Sequence, residues 1–414
     1  MASPLRRRLG AVTATVLCAL AVAPLATAGA LTWGHGSWSW FGDPRAIHAG
    51  QATYVGWIGW NGEVTVGEYA PALGLVRQAV VAHTYHDDHS DPSLLLEPDG
   101  RLTVFWSGHN GTQMNVRTTV QPGDLSGWTP VTHVPQEIPG REGFTYPNPV
   151  LLPAEGNRVY LFWRGADWSA DYATRAPNGT WSPAHDVIRA PGERPYLKVA
   201  DDGAGRIALA FTNGHPRNVL TSIYYATYRH GSLWTADGRW IGRIAHGITP
   251  TRAQIVYDAR VTDVGAWVWD VAFDRYGRPV IVYATFPTRR RHVYWYAAFD
   301  GRRWVSHQLT VAGGSISPGT IEYEYSGGIT LDHADPSIVY LSRQVHGGWE
   351  IERWATSDGG SRWSHRTVVP SGGTDNVRPV VPRGSSGGPL DLLWLHGPYH
   401  SYTSYRTSIL ALLR

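Results

Sequence analysis

Between His86 and Leu96 the chain reads HDDHSDPSLLL, two histidines and three aspartates at the mouth of an apolar run. Farther on, FWSGHN ends another such run on His109, Tyr146 stands in FTYPNPVLL, and Arg164 closes YLFWRG. Imidazole takes or gives a proton near neutral pH, a phenol donates one, and a guanidinium neutralises an anion. Those are the three needs of β-elimination at a uronate. Its carboxylate must be neutralised so that the C5 proton becomes acidic, a base must take that proton, and an acid must protonate the oxygen leaving C4. Arg164 suits the first role, with His89 or His109 as base and Tyr146 as proton donor, or the same groups exchanged. A histidine beside Asp87 and Asp88 would serve equally to cap a turn, so the reading rests on the constellation.

The elements that must position these residues are short aromatic and β-branched runs: ATYVGWIGW, LTVFWSG, RVYLFWRG, RIALAFTNG, PVIVYATF, SIVYLSRQV and LDLLWLHG. Most follow a second apolar strand entered through a proline or acidic corner, as in GDPRAIH, SDPSLLL, YPNPVLL and RPYLKVA. Turns such as EPDGR, DDGAGR and DRYGRP join these pairs as hairpins. Thr356 to Trp363 has the Thr-x-Asp-x-Gly-x-x-Trp spacing of an aspartate box. Seven such units predict an all-β fold, a single seven-bladed β-propeller over residues 29–414, with LTWGHGSWSW lending the last unit its missing strand.

In that fold, inner-strand starts and second-strand ends emerge on one face. The starts carry Asp43, Arg45, His89, Tyr146, Asn148, Arg194, Tyr196, Trp269, Asp270, Tyr325 and Arg378. The ends carry His109, Arg164, His215, Arg343 and His396. From these, Arg45, Arg194, Tyr196, His215, Arg343 and Arg378 are expected to bind substrate around the catalytic four.

Residues 1–28 read as a signal peptide: Arg6–Arg8, a short apolar stretch, and small residues at Ala26–Ala28. Secretion through the Sec or the twin-arginine route follows, with no membrane association after cleavage. The only cysteine, Cys18, leaves with it, so the mature chain has no disulfide and no thiolate metal site. Loss of three of the 36 basic residues leaves 33 against 33 acidic, a balance with no electrostatic footprint for nucleic acid. The HDDHSD cluster has the residue types of a metal site but no HExxH helix, and the metal content stays open. A structural calcium ion is compatible, and no cofactor is needed for the chemistry. A monomer is expected.

WSWFGDPRAI, HDDHSDPSLLLEPDGRLTVFWSGHN, FTYPNPVLL, ERPYLKVA, WVWDVAFDRYGRPVIVYATFP and NVRPVVPRG together resemble the BNR-4 type of seven-bladed propeller protein. That family is similar to ulvan lyases and to the rhamnose–glucuronate lyases of gum arabic side chains. The resemblance implies a uronate-containing polysaccharide as partner and a site in which His89 and His109 flank the substrate, completed by Tyr146 and Arg164. Some ulvan lyases of this kind hold a structural zinc partly through cysteine, which a cysteine-free mature chain cannot do. That favours the L-rhamnose-α-1,4-D-glucuronate branch. An ulvan lyase, a glycoside hydrolase on the same scaffold and a non-catalytic carbohydrate-binding propeller are the alternatives.

Overall fold

The computed structural model describes residues 30–384 and 388–414. The expected signal peptide, Cys18 included, lies outside the described residues. Among these, no helix is long and apolar enough to cross a membrane.

The chain is all-β and runs through successive antiparallel sheets. Ser93–Leu96, Leu102–Trp106, Asn115–Thr118 and Thr132–His133 form one of them. Thr145–Leu152, Arg158–Arg164, Ala170–Arg175 and His185–Ile188 form the next. Leu197–Asp201 opens a six-stranded sheet, and Ala266–Phe273 and Ile329–Leu331 open four-stranded ones. The first strand of each packs on the first strand of the next, which is the arrangement of a propeller. A wider sheet joins the first and last of the described strands. Ala30–Ser37 pairs with Ser408–Leu413, from Ala30 opposite Leu412 to His35 opposite Ser408, and its end also meets Ala52–Gly59.

Local chemistry explains the strands. Every residue of Leu102–Trp106 is buried, as expected for a bulky strand covered on both faces. Its hairpin closes because Glu97 N–H donates to Arg101 O (2.8 Å), Asp99 accepts from Arg101 N–H, and Gly100 sits at φ 82°. The same bond recurs from Asp274 N–H to Arg278 O. In the aspartate box, Asp358 accepts from Thr356 Oγ1 and Arg362 N–H, both at 2.9 Å. Trp363 there lies edge-on to Tyr296 of the preceding sheet.

The centre is filled by the chain's own N-terminal segment. Trp40 stacks on Trp269 (4.4 Å, 14°) and meets Trp267 and Tyr325 edge-on, while Phe41 packs on Tyr146, Tyr196 and Trp267. The backbone carbonyls of this segment need donors, because buried polar groups without partners are costly. Arg378 supplies one to Trp38, Asn148 to Phe41, Lys198 to Trp40 and Arg45 to Ser39. Several polar inner-strand residues expected to face a ligand thus hold this plug.

Candidate active site

The HDDH corner does not start a strand, as the sequence suggests; it folds as a 3₁₀ turn, Asp88–Ser90, before Ser93–Leu96. Asp87 caps it by accepting from His89 N–H (2.9 Å), and Pro92 cannot extend the turn. The same Asp87 Oδ1 lies 2.8 Å from His89 Nδ1, and its Oδ2 lies 2.7 Å from His109 Nδ1. The hairpin Ser93–Trp106 brings His109 back, and the two imidazoles stack at 3.9 Å and 7°. Asp88 Oδ1 is 3.0 Å from His89 Nδ1, and Asp88 Oδ2 binds Arg378 (2.5 Å) and Tyr399 (2.7 Å).

Tyr146 lies 5.4 Å from the His89 ring, at a break in register between Thr145 and Asn148. Its φ of 59° is a strained value for an aromatic residue, of the kind that costs roughly 1–3 kcal/mol and clusters at functional sites. Arg378 shows the same feature, φ 52° at a break between Val377 and Val380, and each residue precedes a proline. Such bulges re-aim a side chain out of the pleat.

Arg164 closes Arg158–Arg164 and lies 4.8 Å over the Tyr146 ring. Its guanidinium donates to Gly143 O, Tyr196 Oη, Asn110 Oδ1 and Thr145 Oγ1, so one of its five N–H groups is left. Beyond Tyr196, His215 Nε2 lies 3.4 Å from Glu322, which Arg217 also holds.

The shared carboxylate splits the two histidines. Burial opposes a charge on His89, yet Asp87 and Asp88 outweigh it and push it up to about 9. Burial, and then the charge on His89, push His109 down to about 4 against the pull of Asp87. Asp87 stays ionised, because both imidazoles overcome its own burial. Burial, reinforced by Tyr196, lifts the Tyr146 phenol well above its ordinary value, so it keeps its proton. At neutral pH this is a cation, a neutral imidazole and a phenol in one cluster.

The structure brings His89, His109, Tyr146, Arg164 and Tyr196 together. His215 lies edge-on to Tyr196 at 5.4 Å, and Arg194 sits over Trp168, whose indole N–H shares Asn110 with Arg164. It does not bring in the remaining arginines. Arg45 is buried on Asp43 (3.1 Å) in the plug, and Arg378 is buried on Asp88 beneath the histidines. Arg343 is held by Glu352 on its own sheet. Two residues escaped the sequence reading. Tyr402 meets both imidazoles edge-on, at 4.7 and 5.4 Å, from the hairpin Tyr399–Tyr405. Asn110 links Arg164 to Trp168, and its place beside His109 in SGHN is the one signal that could have found it.

Asp87, His89 and His109 present two nitrogens and a carboxylate close enough to hold a metal ion, and Glu137, Asp171 and Asp186 present three carboxylates. The central carboxylates Asp43 and Asp270 do not fit a calcium ion, because Arg45, Lys198 and Arg383 already pair with them.

Residues 52–312 match the model of a family described as BNR repeat-containing family members. No curated protein matches the sequence. Among solved structures, an ulvan lyase bound to -[GlcA(1-4)Rha3S]- is similar, with TM-score 0.71 and 15% identity over 92% of this chain and 97% of that one. The polysaccharide lyase Uly1 is similar at TM-score 0.61 and 12% identity over 90% of each chain. At such identities the likeness is one of fold.

Proposed function

The chain belongs to the BNR repeat-containing family, and from that premise we propose that it is a secreted, monomeric polysaccharide lyase. It cleaves a 4-linked glucuronate by β-elimination, with rhamnose as the leaving sugar. The scaffold is a single propeller, read as seven blades when the wide sheet is divided at Ala30–Ser37. The observation that carries the reading is the split histidine pair on Asp87, beside a protonated phenol and a guanidinium.

Neutral His109, with Nδ1 engaged by Asp87, takes the C5 proton at Nε2. The C–H electrons become the C4=C5 double bond as the C4–O4 bond breaks, and Tyr146 protonates O4. The free N–H of Arg164 and the charge on His89 neutralise the uronate carboxylate as negative charge builds. Acid, base and neutraliser are all side chains, so no step is assigned to a metal. Glu137, Asp171 and Asp186 are the oxygen set that would hold a structural calcium ion. Arg194, Tyr196 and His215 line the approach as substrate contacts.

Two polymers offer this bond. The cysteine-free mature chain favours gum arabic side chains, as in the rhamnose–glucuronate lyases. The ligand in the similar ulvan lyase favours ulvan. Separate incubations of the purified mature chain decide between them. New ultraviolet absorbance with free rhamnose from gum arabic supports the first, and absorbance with ulvan alone supports the second. Reducing ends without absorbance would make the chain a hydrolase, and binding without either product would make it a carbohydrate-binding propeller.

A further inference from the structure

The hairpin that carries Tyr402 has a second side. Its residues up to Arg406, with Trp60 and His86, line an open cleft of about 420 Å³, within the size range of small-ligand sites. Tyr402 touches the catalytic histidines, and its carbonyl accepts from Asp88 N–H at 2.9 Å, fixing the hairpin to the HDDH corner. Tyr405 stacks on His86 at 4.2 Å and 20°, three residues before His89. One hairpin is therefore the common wall of the cleft and the histidine site.

The cleft has a definite chemical character. Arg406, which lies 5.8 Å over the Trp60 ring, lines it with His86 and His400, and Thr403 and Ser404 add hydroxyls. Among the described residues, no carboxylate lines it. Trp60 is anchored rather than loose, its indole N–H donating to Thr407 O at 3.1 Å and its carbonyl meeting His86 Nδ1 at 2.6 Å. Across the hairpin, His400 O accepts from Ser317 Oγ at 2.5 Å, which braces the wall from the other side. Aromatic rings, hydroxyls and an arginine without opposing acid suit a sugar unit bearing a carboxylate or sulfate.

We propose that this cleft is a second binding site for the anionic polysaccharide, taking a carboxylated or sulfated sugar one hairpin away from the residue held at His89 and His109. The proposal rests on the polysaccharide reading given above and deepens it. The enzyme would then grip its polymer at two linked sites and prefer long chains.

The test is calorimetric titration with glucuronate–rhamnose oligosaccharides, using the inactive His109→Ala protein as reference so that nothing is consumed. Arg406→Ala and His400→Ala, both exposed, are added to that reference, and their thermal unfolding is compared first. The expected result is hexasaccharide affinity weakened about tenfold, with disaccharide affinity held. Equal hexasaccharide affinity in reference and variants overturns the second site while leaving the polysaccharide reading in place. Absence of any oligosaccharide binding to wild-type and reference proteins overturns both.

Discussion

Asp87 accepts from both histidines, so the imidazoles and the carboxylate titrate as a unit and their values belong to the cluster. In the proposed mechanism activity is greatest with His109 neutral and His89 charged. As pH falls through about 4, His109 takes a proton and can no longer act as base. As pH rises through about 9, His89 loses the charge that helps neutralise the uronate. A bell-shaped profile of kcat/KM with limbs near those values is the prediction. In His89→Gln, burial still depresses His109 but the charge that adds to it is gone, so the acidic limb should move up from about 4 while staying below the ordinary 6.5; an unmoved limb would deny the coupling. Tyr146→Phe keeps the ring and removes the proton, and a roughly 10²–10⁴-fold loss of kcat is expected with unfolding unchanged. The gathering of His89, His109, Tyr146 and Arg164 was legible in the sequence because strand-corner position and residue type both pointed to it. Tyr402 was not, since nothing local ties residue 402 to a corner more than 300 residues earlier.

At the scale of elements, the corner-and-hairpin units explain why the site forms at all. A 3₁₀ turn, a tight hairpin and a bulged inner strand carry His89, His109 and Tyr146 to one place. Those units could be read from their Asp-Pro corners and Gly turns. The plug could not: WSWFGDPR looks like one more aromatic strand and corner, and only the folded ring shows that it crosses the centre. This is why Arg45 and Arg378, with the residue types of substrate contacts, hold backbone and carboxylates instead. Arg378→Met should therefore act on stability. It strips the guanidinium from the buried Asp88 Oδ2 and leaves His89 as the remaining cation, at a cost of up to about 3–5 kcal/mol, read as a lowered denaturant midpoint. Unchanged stability with a raised KM would return Arg378 to the substrate.

At the scale of the whole molecule, closure comes from pairing the first described strand with the last, Ala30–Ser37 on Ser408–Leu413. A chain beginning at Trp38 loses this clasp and bares a long strand edge. It should unfold at lower temperature and over a broader range, followed by calorimetry; an unchanged transition would mean that the ring closes without it. Repeat spacing made the all-β architecture legible, but not which polymer would fit the face, because loops such as Tyr399–Tyr405, which lie against the histidines, obey no repeat. In the proposed reaction the paired histidines on Asp87, with Tyr146 and Arg164, carry out elimination at a uronate. This is tested most directly by following ultraviolet absorbance while wild-type and His109→Ala proteins act on gum arabic and on ulvan. A steady rise is expected for the wild type with one of the polymers and none for a folded His109→Ala. A rise of equal rate in both proteins would contradict it.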